Sequence, residues 1–143
     1  LMKGDLTSEF EKNGEKVVRC LNSDLSFISP SGDDFSIRAR ALLWIRNVGH
    51  LMTTPAVLDS NGDEIFEGLL DAMVTTMLGM HDLKKADGNS RHGSIYIVKP
   101  KMHGPAEVDF ADKIFSKVES SLGIEQYSVK LGIMEKNAEP PLT

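Results

Sequence analysis

Ala41-Leu42-Leu43-Trp44-Ile45-Arg46-Asn47-Val48-Gly49-His50-Leu51-Met52 is an apolar run that ends abruptly in charged and polar residues. Leu42 to Ile45 have the bulk of a strand covered on both faces, and continuous apolar strands suit parallel sheets better than half-exposed antiparallel ones. Arg46 follows at once. A guanidinium at the end of a buried strand is costly to desolvate unless something anionic meets it. Two readings follow: a structural ion pair with a nearby carboxylate, or an anion-binding arginine at the carboxyl end of a parallel strand, where sheets and barrels of this class place their ligands.

Downstream of this stretch the pattern alternates strand and helix. Asp59 to Asp63 make a turn, after which Ile65, Phe66, Leu69, Leu70, Met73, Val74, Met77, Leu78 and Met80 recur at helical spacing. The methionines read as core filling rather than as a metal feature. Gly93 to Val98 form a strand dense in β-formers, ending at Lys99-Pro100-Lys101-Met102-His103-Gly104-Pro105. Pro105 suits the first position of a helix and Gly123 the residue beyond its end, so 105–122 is a second helix, with Val108, Ala111, Ile114, Phe115, Val118 and Leu122 as its buried stripe. Tyr127 to Met134 form a third strand. The order β-α-β-α-β, with long crossovers, predicts an α/β fold with a parallel sheet. Half of a doubly wound domain and three-eighths of a (β/α)8 barrel both satisfy it. In either, Arg46-Asn47, Lys99 to His103 and Glu135-Lys136 all follow strand ends and share one end of the sheet.

Upstream, the texture differs. Asn13-Gly14 is a hairpin signal between Leu6 to Glu11 and Lys16 to Leu21, and Ser29 to Asp33 is a second turn between Leu25 to Ser29 and Asp34 to Arg38. Together they predict a small antiparallel β-hairpin region, too small for a core of its own.

Composition is that of one globular domain: 143 residues, 41% hydrophobic and 26% charged. A net charge of -5 argues against nucleic acid and anionic membranes as partners. The single cysteine, Cys20, excludes an internal disulfide and reads as a small buried apolar residue without a role. No apolar run approaches the ~20 residues of a membrane span and no signal-peptide pattern opens the chain, so a cytoplasmic location is expected. His50, His81, His92 and His103 lack metal-pair spacing. No glycine-rich phosphate fingerprint follows a strand.

At Arg46-Asn47-Val48-Gly49-His50-Leu51-Met52-Thr53, with Asn89-Ser90-Arg91, Ser94 to Pro105 and Leu131-Gly132-Ile133-Met134, the chain resembles the malate synthase family in its large G form, from Leu1 to about Met134. The resemblance implies an enzyme that condenses glyoxylate with acetyl-CoA and hydrolyses the thioester, giving malate and CoA in the glyoxylate cycle, with Mg2+ in the site. It implies a (β/α)8 TIM barrel carrying an inserted α/β domain. The chain then reads as an internal fragment: residues 1–40 the returning part of the insert, 41–136 a partial barrel segment and 137–143 an irregular tail.

By motif, Arg46 matches the arginine that binds glyoxylate and stabilises the acetyl-CoA enolate, and Arg19, in Arg19-Cys20-Leu21-Asn22-Ser23-Asp24, matches one that contacts acetyl-CoA. Lys99 to Gly104 match a family segment read as shaping the barrel mouth. The family continues Gly-Ile-Met with Asp-Glu-Glu-Arg-Arg-Thr, whose first glutamate binds magnesium, whereas here Glu135-Lys136-Asn137-Ala138 follow and Lys136 takes the ligand position. Glu135 is the neighbouring carboxylate, but adjacent strand residues point opposite ways, so no magnesium ligand is secure. The expectation is therefore an enzyme by family whose 143 residues alone are inactive and self-associate through open sheet edges. The alternative is a non-catalytic anion- or CoA-binding module or a structural remnant of a truncated gene product.

Overall fold

The computed structural model describes residues 5–44, 46–86 and 88–135. Two hairpins come first. Strand β1 (Thr7–Lys12) pairs antiparallel with β2 (Glu15–Cys20) about Asn13-Gly14, both at positive φ as a tight two-residue hairpin turn requires. Strand β3 (Leu25–Ile28) pairs with β4 (Asp34–Ile37), bringing Phe27 opposite Phe35. Each is a separate two-stranded sheet among the described residues, and Phe27, Ile28, Phe35 and Ile37 are exposed. Cys20 is exposed on β2 as well, against the expectation of burial, because among the described residues this hairpin joins no larger sheet.

The main body is a three-stranded parallel sheet in the order β5 (Leu43–Trp44), β8 (Ile95–Met102), β9 (Val129–Glu135). Between β5 and β8 lie an antiparallel hairpin, β6 (Thr53–Leu58) with β7 (Glu64–Phe66), and helix α1 (Glu67–Leu83). Helix α2 (Pro105–Leu122) joins β8 to β9, with Pro105 in its first turn and Gly123 closing it in a left-handed conformation. The core is Leu42, Ala72, Ile95, Ile97, Phe115, Val118 and Val129, with Trp44, Met73, Ile114, Leu122 and Leu131 packed around it.

Four expectations require correction. Strand β5 has two residues and Leu43 is 56% exposed, so the run is not covered on both faces; among the described residues its only sheet neighbour is β8. Ile45 lies outside the described residues. Ile65 and Phe66 belong to β7 rather than to the helix, because the Asp59 to Asp63 turn folds them back onto Thr54 and Thr53.

The helix that follows packs on the core through Met73, but its fully buried positions are not the methionines. Its buried residues are Gly68, Ala72, Thr76, Gly79 and Asp82, while Leu69, Met77 and Leu78 are exposed. Close approach is the reason: a Cβ on Gly79 would stand 2.5 Å from Ile95 Cδ1. Small residues let α1 lie against β8, with Met73 and Leu83 packed beside them and Leu69, Val74, Met77 and Leu78 turned outward.

Finally, β8 does not stop at Val98. Pairing of Lys99 with Ile133 carries it on, and an irregularity with Lys101 at φ 57° lets it rejoin β9 at Met102 and Glu135. Lys99 and Met102 are buried, whereas Lys101 and His103 are exposed.

Candidate functional site

The segments after β5 and β8 and the last residue of β9 lie at the carboxyl end of one sheet, since all three strands are parallel and adjacent. Arg46 is exposed there, and no hydrogen bond or ion pair engages it among the described residues. The structural ion pair that a strand-end arginine could have made is therefore absent among those residues.

The backbone beside Arg46 is held tightly. Asn47 is 3% exposed, and its N–H donates to the Val98 carbonyl at 2.8 Å, extending the β5–β8 pairing past Trp44. The Asn47 side-chain amide donates to the Gly68 carbonyl at 3.0 Å in the first turn of α1. Its oxygen accepts from Lys99 Nζ at 2.8 Å, and the same amine donates to the Val48 carbonyl at 2.5 Å. A Cβ on Gly68 would lie 2.9 Å from Asn47 Oδ1 and 3.0 Å from Lys99 Nζ, so this meeting of strand, loop and helix needs glycine there. Further along, His50 stacks on Phe110 with centroids 4.9 Å apart and its Nε2 lies 3.2 Å from the Glu107 carbonyl. A cavity of about 180 Å3 lies beside these groups, lined by His50, Phe66, Leu69, Lys99, Phe110 and Ile114 among others.

Lys99 is 1% exposed and, among the described residues, has no carboxylate within ion-pair distance. Burial pushes its pKa below the usual 10.5, and the Asp71 charge opposes this only in part. A lysine depressed in the folded state binds fewer protons there than when unfolded, so its destabilising effect fades as pH rises toward 10.5. Wild-type stability relative to a Lys99→Met variant is expected to increase with alkaline pH, measured by urea unfolding at several values up to about 10.5. A pH-independent difference would contradict the charged, desolvated amine.

The other sequence candidates are not gathered here. Arg19 lies on β2 opposite Ser8, its guanidinium 5.7 Å over the Phe10 ring, and no contact links it to Arg46. Glu135 is the last residue of β9, paired through its backbone with Met102; Lys136 and the tail lie outside the described residues. Among the described residues no three His, Cys, Asp or Glu side chains converge. No described helix is long and apolar enough to cross a membrane. Sequence reading missed the Lys99–Asn47–Gly68 junction. Its one signal is a lysine two positions after Ile97, in phase with the buried Ile95 and Ile97.

Residues 42–140 match the malate synthase TIM barrel domain family. The chain is 46% identical to malate synthase G of Halalkalibacterium halodurans over 99% of its own length and 20% of that protein's. It is 44% identical to malate synthase G of Corynebacterium efficiens, and 44% to that of Corynebacterium glutamicum, in each case over 95% of this chain and 18% of the relative. It thus spans about a fifth of the length of the curated relatives it matches.

Proposed function

We propose, from the premise that the chain belongs to the malate synthase family, that it supplies the glyoxylate-binding arginine of a malate synthase barrel. Arg46 is that residue. In the proposed reaction the methyl carbon of acetyl-CoA loses a proton to become an enolate, attacks the aldehyde carbon of glyoxylate, and water then cleaves the thioester to malate and CoA. Arg46 would hold the glyoxylate carboxylate through its planar fork and offset the negative charge growing on the enolate oxygen. The observation that carries this reading is the exposed guanidinium, without a partner among the described residues, beside the hydrogen-bonded Asn47 at the carboxyl end of a parallel strand.

In the same reading, residues 41–136 are three of the eight strand-helix units of the barrel, and residues 1–40 the returning part of the inserted domain. Arg19 would contact acetyl-CoA from that insert, its guanidinium resting on an aromatic ring rather than being spent on an acid. Mg2+ would polarise glyoxylate in the proposed reaction; among the described residues no three His, Cys, Asp or Glu side chains converge to hold it. The reaction fits a cytoplasmic enzyme.

Because three parallel strands cannot close a barrel, the 143 residues by themselves are expected to release no CoA from acetyl-CoA, glyoxylate and magnesium. Turnover by a chain of 15.7 kDa would overturn that expectation. Isothermal titration with glyoxylate tests the arginine itself: binding without added magnesium supports the reading, and no binding overturns it.

The short β5 and the outer side of β9 have no further strand among the described residues, and Phe27, Ile28 and Phe35 are exposed. Such edges and patches pair with one another. Sedimentation is expected to give an apparent mass that rises with concentration above 15.7 kDa; a concentration-independent monomer would contradict this.

A further inference from the structure

We propose that Lys99 is the positioning residue of Arg46: its buried amine, donating to Asn47 Oδ1 and to the Val48 carbonyl, fixes the segment from which the guanidinium projects. The inference rests on the reading of Arg46 as the glyoxylate arginine. A bidentate guanidinium is useful only if the backbone that carries it is held to a fraction of an ångström. Strand β5 alone cannot do this, for it has two residues and a single sheet neighbour among the described residues.

What holds Arg46's neighbours is a junction of three elements. Asn47 N–H donates to β8, Asn47 Nδ2 donates to the first turn of α1, and Lys99 rises from β8 to tie the Asn47 side chain and the Val48 carbonyl together. A lysine suits the position because its long stem continues the apolar row of Ile95 and Ile97 while its amine serves two acceptors from successive residues. Methionine would fill the same space and leave both acceptors without a donor. The Gly68 contact shows how closely the junction is packed, since any side chain there would meet both Asn47 Oδ1 and Lys99 Nζ.

A residue that merely stabilises the fold would lower the unfolding midpoint and leave ligand binding intact well below it. A positioning residue changes local order and affinity together. The test compares wild type, Lys99→Met and Arg46→Gln by amide hydrogen exchange and by isothermal titration with glyoxylate, well below each unfolding midpoint. The expected result is that Lys99→Met speeds exchange at Asn47 by about tenfold or more while Ile97 and Leu131 are unchanged, and weakens glyoxylate by about tenfold. Unchanged exchange at Asn47, or unchanged affinity in a variant whose Asn47 exchanges faster, overturns the inference while leaving the Arg46 reading standing. Absence of glyoxylate binding by wild type overturns both. Should Lys99→Met fail to fold, Gly68→Ala probes the same junction without removing a charge. The same local and binding changes are expected of it, and wild-type behaviour in both readouts overturns the inference.

Discussion

Exchanging Asp82 for alanine is expected to lower the unfolding free energy by about 3 kcal/mol, the loss of several hydrogen bonds to one charged group. Asp82 is fully buried at the end of α1, a helix terminus at which a negative charge is otherwise unfavourable. Its partners explain its presence. Oδ1 accepts from the Asn89 backbone N–H and from Asn89 Nδ2, both at 3.0 Å, and Oδ2 accepts from Ser90 N–H at 2.9 Å. One carboxylate thereby folds the connection after α1 back toward the start of β8. Backbone packing tightens the arrangement, for a Cβ on Gly88 would stand 2.5 Å from the Asp82 carbonyl oxygen.

The same contacts set its ionisation. Burial pushes the Asp82 carboxyl up, but the N–H donors of Asn89 and Ser90, the Asn89 amide and the Lys85 charge together bring it below the usual 3.8. A carboxyl depressed in the folded state stabilises fully above 3.8 and loses that contribution as pH falls through its folded value. The gap between wild type and Asp82→Ala should therefore be widest near neutrality and narrow in acid. Urea unfolding followed by Trp44 fluorescence reads it. A loss under about 1 kcal/mol would place Asp82 among ordinary surface substitutions and contradict the account.

Arg46 carries the second large effect, and its sign is opposite in kind: little change in stability and a large change in binding. Being exposed and without a partner among the described residues, it holds nothing together. Arg46→Gln should leave the unfolding midpoint close to wild type while weakening glyoxylate by about tenfold or more. Arg46→Lys keeps the charge and loses the planar fork, so its affinity should fall between the two. Equal affinity in wild type and Arg46→Gln, checked by titration at one ionic strength, would remove the anion role.

Much of the fold was legible before any coordinates. Asn13-Gly14 can hardly be other than a hairpin turn, and Pro105 and Gly123 bracket α2 as the helix-end rules require. The three parallel strands and two helices after residue 41 follow from periodicity, but the antiparallel β6–β7 hairpin between β5 and α1 did not. What periodicity could not give was the inward face of α1. Apolar bulk at helical spacing pointed to the methionines, yet packing distance decided for Gly68, Ala72 and Gly79, a choice that depends on β8 and is invisible within the helix. Lys99 was hidden for a related reason. Beside Pro100 and Lys101 it looks like a solvated loop, and only the continued pairing with Ile133 shows that it is strand, buried and engaged. Arg46 stood out because its chemistry conflicts with its apolar neighbours, and such local conflict is what sequence reading detects best.

Titration of the 143-residue chain with glyoxylate in magnesium-free buffer, wild type beside Arg46→Gln, tests the central claim most directly. Binding by wild type that the glutamine variant loses, with both chains equally folded, is the predicted result. No binding by wild type, or binding that survives the substitution, would contradict Arg46 as the glyoxylate arginine.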